Sequence, residues 1–142
     1  MCIRDRREGP GIKLNHVGIT VPNLDEGIKF YTRALGAKEA ITFRDDRGRP
    51  FSYLQLSRET FLELQETPAG QAPGLLHIGL EVENLAAALP KLKEGGLEVG
   101  NPSESARTKA LIAQATGPSG MKFELLEFGP DSVQRKVMNA WK

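Results

Sequence analysis

Polar and apolar residues alternate with a period of two in two separate stretches of the chain. Residues 14–24 read LNHVGITVPNL, and residues 75–85 read LLHIGLEVENL. Because successive side chains of a β-strand point to opposite faces of the sheet, this alternation is typical of a strand that buries one face. The pattern therefore predicts that each stretch begins with a β-strand.

The two stretches are copies of one another. Identical leucine, histidine, glycine, valine and asparagine residues recur at an offset of 61 residues. The same offset aligns residues 62–66 with residues 123–127. A repeat that is in register at both of its ends predicts two structural modules, which we place at residues 13–67 and 74–128.

A helix is predicted directly after each of these strands. In the first module an apolar stripe with helical spacing is formed by Leu24, Ile28, Tyr31 and Leu35. Asn23 stands at the N-cap position of this helix, and Gly36 stands at its C-terminal end. The second module repeats the arrangement after Asn84, although Pro90 lies inside the predicted helix and is expected to bend it.

Strand-like runs separated by turn-forming residues follow each helix. They cover residues 38–44, 50–57 and 60–66 in the first module and residues 97–100, 108–115 and 121–128 in the second. Each module is therefore predicted to have the order β-α-β-β-β, which makes the protein an α+β domain. Residues 1–12 lack periodicity and are expected to be a disordered N-terminal segment. Residues 129–142 are expected to be a C-terminal tail containing a short helix.

Composition and charge narrow the possible classes of function. The 142 residues include 19 Lys and Arg against 18 Asp and Glu, which gives a formal net charge of +1. Such a balanced chain has no overall field to attract nucleic acid, and no apolar run approaches the ~20 residues that a membrane helix needs. The single cysteine, Cys2, allows no disulfide within the chain. We expect a cytoplasmic protein that binds neither nucleic acid nor membranes.

The two histidines of the chain, His16 and His77, occupy the same position in the two copies. Glu63 and Glu124 form a second equivalent pair, each at the same separation from its histidine. Strand alternation allows each histidine and glutamate to face the same side of a curved sheet. Two imidazoles and two carboxylates are suitable ligands for a divalent first-row metal and leave positions open for substrate. These four residues are the predicted metal ligands.

A structural role is the alternative to metal ligation for these polar residues. An isolated histidine at the start of a strand is more often a hydrogen-bonded structural residue than a ligand. The repeat favours ligation, because a His and a Glu that are retained inside apolar strands must be hydrogen-bonded or functional. Glu66 and Glu127 are also equivalent, but they lie three residues beyond Glu63 and Glu124. They are therefore expected to face the opposite side of the sheet as solvated charges.

These motifs resemble those of the vicinal oxygen chelate superfamily, which includes glyoxalase I, methylmalonyl-CoA epimerases, fosfomycin-resistance enzymes, bleomycin-binding proteins and extradiol dioxygenases. The resemblance covers residues 13–128. It rests on HVGITVPNL at 16–24, FYTRALG at 30–36, FLEL at 61–64, LHIGLEV at 76–82 and GPSGMKFEL at 117–125. It implies that the paired modules form a cupped mixed sheet around one metal ion. The ligands that it implies are His16, Glu63, His77 and Glu124.

The resemblance also implies a glyoxalase-type isomerase or lyase that depends on one divalent metal ion, namely Zn, Ni, Co, Mn or Fe. The substrate would be a small molecule with two adjacent oxygens, and the metal would stabilise the enediolate or enolate formed when a proton is removed. Glu124 is the expected catalytic base, and Glu63 is the second candidate. A homodimer is expected, with the metal held either within one chain or between two chains.

Other functions within the superfamily remain open at this point. A non-catalytic protein that binds a small molecule or an antibiotic generally lacks the four ligands. An epimerase shares the NHVGITVP segment, but it usually has a longer connection between the modules than residues 67–74 and a different residue at the position of Glu63. A thiol transferase of the fosfomycin-resistance type uses three protein ligands.

Further residues are candidates for lining the substrate pocket. An anionic group could be received by basic residues near strand ends, which are Arg44, Arg47, Arg49, Arg58, Arg107 and Lys109. The apolar candidates are Phe43, Tyr53, Phe61, Met121 and Phe123, although such residues on strands are more often part of the core.

Overall fold

The computed structural model describes residues 11–45 and 47–142. The first module contains β1 (Ile12–Val21), α1 (Leu24–Leu35), β2 (Lys38–Arg44), β3 (Pro50–Gln55) and β4 (Phe61–Glu66). The second module contains β5 (Gly74–Val82), α2 (Leu85–Glu94), β6 (Glu98–Val99), β7 (Ser103–Glu104), β8 (Leu111–Thr116) and β9 (Lys122–Glu127). A last helix, α3 (Val133–Asn139), follows the second module.

The first module has the predicted order of elements, and its helix is bounded as the sequence indicates. Asn23 Oδ1 accepts a hydrogen bond of 3.0 Å from the backbone N–H of Glu26. Gly36 ends the helix in the left-handed region, with a φ of 67°. Asn84 caps α2 in the same way, and α2 continues through Pro90.

The second module departs from the predicted order in two places. The strand expected at residues 97–100 is reduced to the two residues of β6, and β7 is a further short strand that pairs with β8. The strand expected to begin at residue 108 begins at Leu111 instead. Lys109 explains the shift, because its φ of 62° is a left-handed conformation that interrupts an extended strand.

Among the described residues, nine strands form one mixed sheet in the order β2-β3-β4-β1-β5-β9-β8-β6, with β7 attached to β8. The strand β1 is parallel to β4, and β5 is parallel to β9. The equivalent strands β1 and β5 meet in the middle and are antiparallel. The two modules are therefore related by a pseudo-twofold axis between β1 and β5, and one chain supplies the whole sheet.

The helices α1 and α2 cover one face of this sheet. The first three residues of the predicted α1 stripe belong to the apolar cluster of Leu54 and Leu64, and the apolar residues of α2 pack on Leu125. The fourth residue of the α1 stripe, Leu35, is instead exposed. Glu66 and Glu127 lie on this face, as predicted. They are more than solvated charges, because their carboxylates accept hydrogen bonds from the first backbone N–H of α1, at 3.3 Å, and of α2, at 2.9 Å. Each glutamate therefore compensates an unpaired donor at a helix N-terminus.

The opposite face is concave, and α3 fills one end of it. Ile41 of β2 and Ile112 of β8 belong to the same apolar cluster as Met138 of α3. Strands near the two ends of the sheet therefore curl toward each other around this helix. The helix predicted in the C-terminal tail is thus present, and it closes one end of the cup.

The N-terminal boundary differs slightly from the expectation. The strand β1 begins at Ile12, so that residue belongs to the sheet and not to the expected disordered segment 1–12. The rest of that segment, residues 1–10, lies outside the described residues. None of the described helices is long and apolar enough to span a membrane.

Candidate metal centre

One half of the candidate site is a row of three residues across three neighbouring strands. Glu63 of β4 pairs with Gly18 of β1, and Gly18 pairs with His77 of β5. Residues paired in this way project from the same face of a sheet, so Glu63 and His77 both point into the cup. A Cβ atom on Gly18 would lie only 2.8 Å from His77 Nε2. The glycine therefore leaves the space in which the imidazole and the carboxylate meet.

The pseudo-twofold axis generates the other half of the site. His16 of β1 pairs with Gly79 of β5, and Gly79 pairs with Glu124 of β9. A Cβ atom on Gly79 would overlap the imidazole of His16. The repeated His-x-Gly pattern therefore has two functions. In β1 and in β5 the histidine supplies an imidazole to one row of paired residues, and the glycine leaves room for the imidazole of the other row.

The four predicted ligands converge within a single chain. The Nε2 atoms of His16 and His77 are 2.9 Å apart, and Glu63 Oε2 lies 3.2 Å from the first and 2.8 Å from the second. The carboxylate oxygens of Glu124 lie 3.6 and 3.7 Å from the same two nitrogens. One ligand atom from each residue fits within a cluster no more than 4.8 Å across. A second chain is not needed to complete the set.

The arrangement of these atoms suits a bound cation better than a network of hydrogen bonds. His16 Nε2 faces three polar atoms within 3.6 Å, yet an imidazole nitrogen offers either one hydrogen or one lone pair. The carboxylates of Glu63, which is buried, and Glu124, which is partly exposed, are directed at the same point and repel each other unless positive charge lies between them. A divalent metal held by two nitrogens and two oxygens would satisfy all four groups and leave coordination positions open.

Burial and the ligand contacts shift the ionisation of this cluster. Burial acts to raise the pKa of Glu63, but its hydrogen bonds and charge interactions with His16 and His77 outweigh burial and hold the pKa well below its usual value. Burial acts to lower the pKa of His77, but the contact with Glu63 and the charge of Glu124 raise it overall. Glu63 is therefore a carboxylate across the neutral pH range, as a metal ligand must be.

The two glutamates are equivalent in sequence, but their surroundings differ. Glu63 is 4% exposed, and its second oxygen accepts a hydrogen bond of 2.8 Å from Gln65 Nε2. The side chain of Glu124 is 17% exposed and borders the open cavity beside the site. Glu63 is therefore held by its neighbours, whereas Glu124 is freer to move.

Tyr53 is the member of the predicted apolar set that reaches the cluster. It pairs with Glu63 in the sheet, and its ring packs edge-on against His16, with the ring centroids 5.2 Å apart. Burial, followed by the charges of Glu63 and Glu124, raises the pKa of Tyr53 well above its usual value, so its hydroxyl remains protonated. Phe61 packs in the cluster around α3, and Phe123 packs under α2, so both belong to the core.

A cavity leads to the cluster from the end of the cup opposite α3. Its lining includes His77 and Glu124 together with the polar residues Thr20, Arg49, Gln65, Gln114 and Lys122. The pseudo-twofold axis exchanges three of these residues, Thr20, Gln65 and Lys122, with Glu81, Leu126 and Phe61 at the closed end. Repeat symmetry therefore holds for the four predicted ligands but not for the two ends of the cup, and the cluster is accessible from the polar end.

The predicted basic residues are spread over several places. Arg49 lines this cavity, but it forms an ion pair of 2.7 Å with Asp45. Arg107 lines a second cavity and donates a hydrogen bond of 3.0 Å to the backbone carbonyl of Asp45. Lys122 was not selected from the sequence, because its repeat equivalent is an aromatic residue and its position gives no separate signal.

Comparisons with known proteins agree with this architecture. The family model of the Glyoxalase/Bleomycin resistance protein/Dioxygenase superfamily matches residues 13–125. An ethylmalonyl-CoA/methylmalonyl-CoA epimerase of Cereibacter sphaeroides is 33% identical over 118 residues, which cover 70% of this chain and 85% of that protein. A probable chloroplastic lactoylglutathione lyase of Arabidopsis thaliana is 29% identical over 132 residues, which cover 83% of this chain and 36% of that protein.

Solved structures share the fold. A methylmalonyl-CoA epimerase from Mycobacterium tuberculosis superposes with a TM-score of 0.70 at 23% identity, covering 82% of this chain and 88% of the other. A hypothetical protein from Bacillus halodurans superposes with a TM-score of 0.69 at 25% identity, covering 83% and 95%. With the matched family model spanning both modules, these findings show that the chain belongs to the Glyoxalase/Bleomycin resistance protein/Dioxygenase superfamily, also called the vicinal oxygen chelate superfamily.

Proposed function

We propose that this protein is a metal-dependent epimerase that moves a proton at the carbon beside the thioester carbonyl of a small acyl-CoA. The observation that carries the proposal is the convergence of His16, Glu63, His77 and Glu124 beside an open cavity. The 33% identity to an ethylmalonyl-CoA/methylmalonyl-CoA epimerase supports this substrate class over the hemithioacetals of glyoxalase I. A divalent metal bound there would supply Lewis-acid chemistry that acidifies the C–H bond beside a coordinated carbonyl.

Glu124 is the residue to which we assign proton removal. Its carboxylate lies farther from the imidazole nitrogens than that of Glu63 and borders the cavity. The C–H bond breaks as the proton moves to Glu124, and the electron pair is delocalised into the thioester carbonyl. Return of a proton to the opposite face of the same carbon inverts its configuration. That second proton would come from solvent, because Glu63, the counterpart of Glu124 across the pseudo-twofold axis, is held as a carboxylate by His16 and His77.

Of the described residues that line the polar end of the cup, Lys122 is the cation that we consider available for an anionic group of the substrate. Lys122 Nζ lies 3.2 Å from Thr116 Oγ1, and a neutral hydroxyl does not compensate its charge. Arg49 lines the same cavity, but Asp45 compensates its charge. Lys122 is therefore the side chain that we expect to bind the free carboxylate of a dicarboxylic acyl thioester.

Room for the rest of a long substrate lies next to this cavity. A larger depression shares Gln114 with it, and its lining includes the apolar residues Phe51 and Ile112 and the polar residues Ser103 and Arg107. A lining that combines apolar and polar side chains suits the extended arm of an acyl-CoA.

Changing Lys122 to Met should raise the KM for a dicarboxylic acyl-CoA about 10-fold and leave kcat within about threefold, because a charge-assisted hydrogen bond to the bound substrate is lost. Steady-state kinetics on the metal-loaded enzyme measure both constants. Lys93→Met is the matched control, since Lys93 is exposed on α2 and should not affect either value. An unchanged KM in the Lys122 variant would show that the carboxylate binds elsewhere.

The glyoxalase-type isomerisation predicted from the resemblance remains the second candidate, and one observation favours it. Glu63 is held by His16, His77 and Gln65, so Glu124 is the single carboxylate with freedom to carry a proton. A single base suits transfer between two adjacent carbons on one face, whereas inversion at one carbon requires proton delivery to both faces.

Proton exchange in D2O separates the two reactions. The metal-loaded protein would be incubated with methylmalonyl-CoA, ethylmalonyl-CoA and the hemithioacetal of methylglyoxal and glutathione, and the products followed by NMR and chiral analysis. An epimerase is expected to place solvent deuterium in an acyl-CoA of inverted configuration. Isomerisation of the hemithioacetal alone would support the second candidate. Tight metal binding with no exchange in any substrate would indicate a binding protein.

A further inference from the structure

Asn15 is a buried polar residue next to a metal ligand, and its sequence position alone indicates no role. It is 1% exposed, and it lies at an irregularity where the register between β1 and β5 shifts between Leu14 and His16. Neighbouring residues of a regular strand point to opposite faces, but a bulge changes this alternation. The side chains of Asn15 and His16 consequently meet, and Asn15 Oδ1 lies 2.8 Å from His16 Nδ1.

A second hydrogen bond fixes the orientation of the Asn15 amide. Asn15 Nδ2 donates to the backbone carbonyl of Glu59, at 3.3 Å, and a carbonyl can only accept. The remaining atom, Oδ1, is therefore the one that faces His16, and an amide oxygen accepts but does not donate. His16 must then carry a hydrogen on Nδ1, and in its neutral, metal-binding form the lone pair of Nε2 points at the centre of the cluster.

The second module has no copy of this arrangement. Leu76 occupies the position equivalent to Asn15, and its side chain neither donates nor accepts a hydrogen bond. His77 instead makes its close contact through Nε2, with Glu63 Oε2 at 2.8 Å. The two histidines are therefore equivalent in position, but His16 has a hydrogen-bonding side chain at the preceding residue, and His77 has not.

We propose that Asn15 is a positioning residue that sets the tautomer and ring orientation of His16, so that this histidine is ready to bind the metal ion. The proposal rests on the metal centre of the proposed function. A partner on the second ring nitrogen fixes the ligating tautomer, and loss of such a partner typically weakens metal binding about 10- to 100-fold. Asn15 also connects His16 to the turn between β3 and β4, through Glu59.

The first test compares metal affinities. Asn15→Leu, which copies the residue of the second module, should raise the dissociation constant for Zn²⁺ or Co²⁺ about 10- to 100-fold in a competition titration with a chromophoric chelator. Ser132→Ala is the control, because Ser132 is also fully buried and hydrogen-bonded but caps α3 away from the cluster. It should lower thermal stability without changing the metal affinity. Equal affinities in the wild type and Asn15→Leu would overturn the proposal.

The second test reads the tautomer directly in the metal-free protein. We expect 15N NMR of the wild type to show His16 protonated at Nδ1, and Asn15→Leu to lose this preference. Asn15→Asp should keep the preference for a hydrogen on Nδ1, because a carboxylate also accepts a hydrogen bond from Nδ1–H. A wild-type His16 with a hydrogen on Nε2 and none on Nδ1 would overturn the proposal even if the variants do not fold. Absence of metal binding by the wild type would instead refute the proposed function, since the tautomer result is independent of it.

Discussion

Changing Glu124 to Gln is expected to lower kcat about 10²- to 10⁴-fold at saturating metal, the range that loss of a general base causes. Glutamine keeps the size and an oxygen ligand of the side chain but cannot take up a proton. The carboxylate is the one that borders the cavity and lies farther from the imidazoles, at 3.6 and 3.7 Å. The rate of deuterium exchange into the substrate should fall by the same factor, because exchange requires the same C–H bond to break.

Glu63→Gln is the matched variant, since the pseudo-twofold axis makes Glu63 the counterpart of Glu124. Glu63 contacts both imidazoles and Gln65, so its neutralisation should mainly raise the dissociation constant of the metal. Metal content by elemental analysis and kcat at saturating metal distinguish the two effects. A larger loss of kcat in Glu63→Gln than in Glu124→Gln would identify Glu63, and not Glu124, as the base.

The repeat made both the fold and the grouping of the two histidines with the two glutamates predictable from the sequence. Period-two alternation fixed which residues of each strand share a face, and the offset between copies paired His16 with His77 and Glu63 with Glu124. The strands of the first module, β5 and β9, the first two helices and the side of the sheet on which Glu66 lies follow from these local patterns. Local patterns succeed here because each depends on the geometry of one element and not on how elements meet.

How the two modules join could not be predicted in this way. The sequence left open whether the metal lies within one chain or between two chains, and that choice depends on the pairing of β1 with β5. The role of Asn15 depends on a bulge, and a bulge leaves little trace in an alternation pattern. The sequence did not indicate a role for Lys122, because its repeat equivalent is the core residue Phe61. Only the folded sheet shows that one end of the cup is polar and the other is filled by α3. The homodimer remains a prediction.

Replacing Gly79 with Ala is expected to abolish high-affinity metal binding and to lower the free energy of unfolding by about 1–3 kcal/mol, the usual cost of overpacking a core. The added methyl group would overlap the His16 imidazole, which is 1% exposed and cannot move into solvent. The ring must then rotate, so that its Nε2 no longer faces His77 and Glu63. Isothermal titration with Zn²⁺ and chemical denaturation measure the two effects.

Gly74→Ala is the matched control for this substitution. Gly74 lies on the same strand, β5, has an ordinary backbone conformation and has no atom within 4 Å of the position that an added methyl group would take, so the variant should bind metal like the wild type. Gly18→Ala should weaken metal binding less than Gly79→Ala, because its closest contact with an imidazole is longer, at 2.8 Å, and His77 is more exposed than His16. Wild-type metal affinity in Gly79→Ala would mean that His16 is not a ligand. Metal affinity should therefore fall most in Gly79→Ala, less in Gly18→Ala and not at all in Gly74→Ala. This order follows from the strand register, the contact distances and the burial of the two imidazoles.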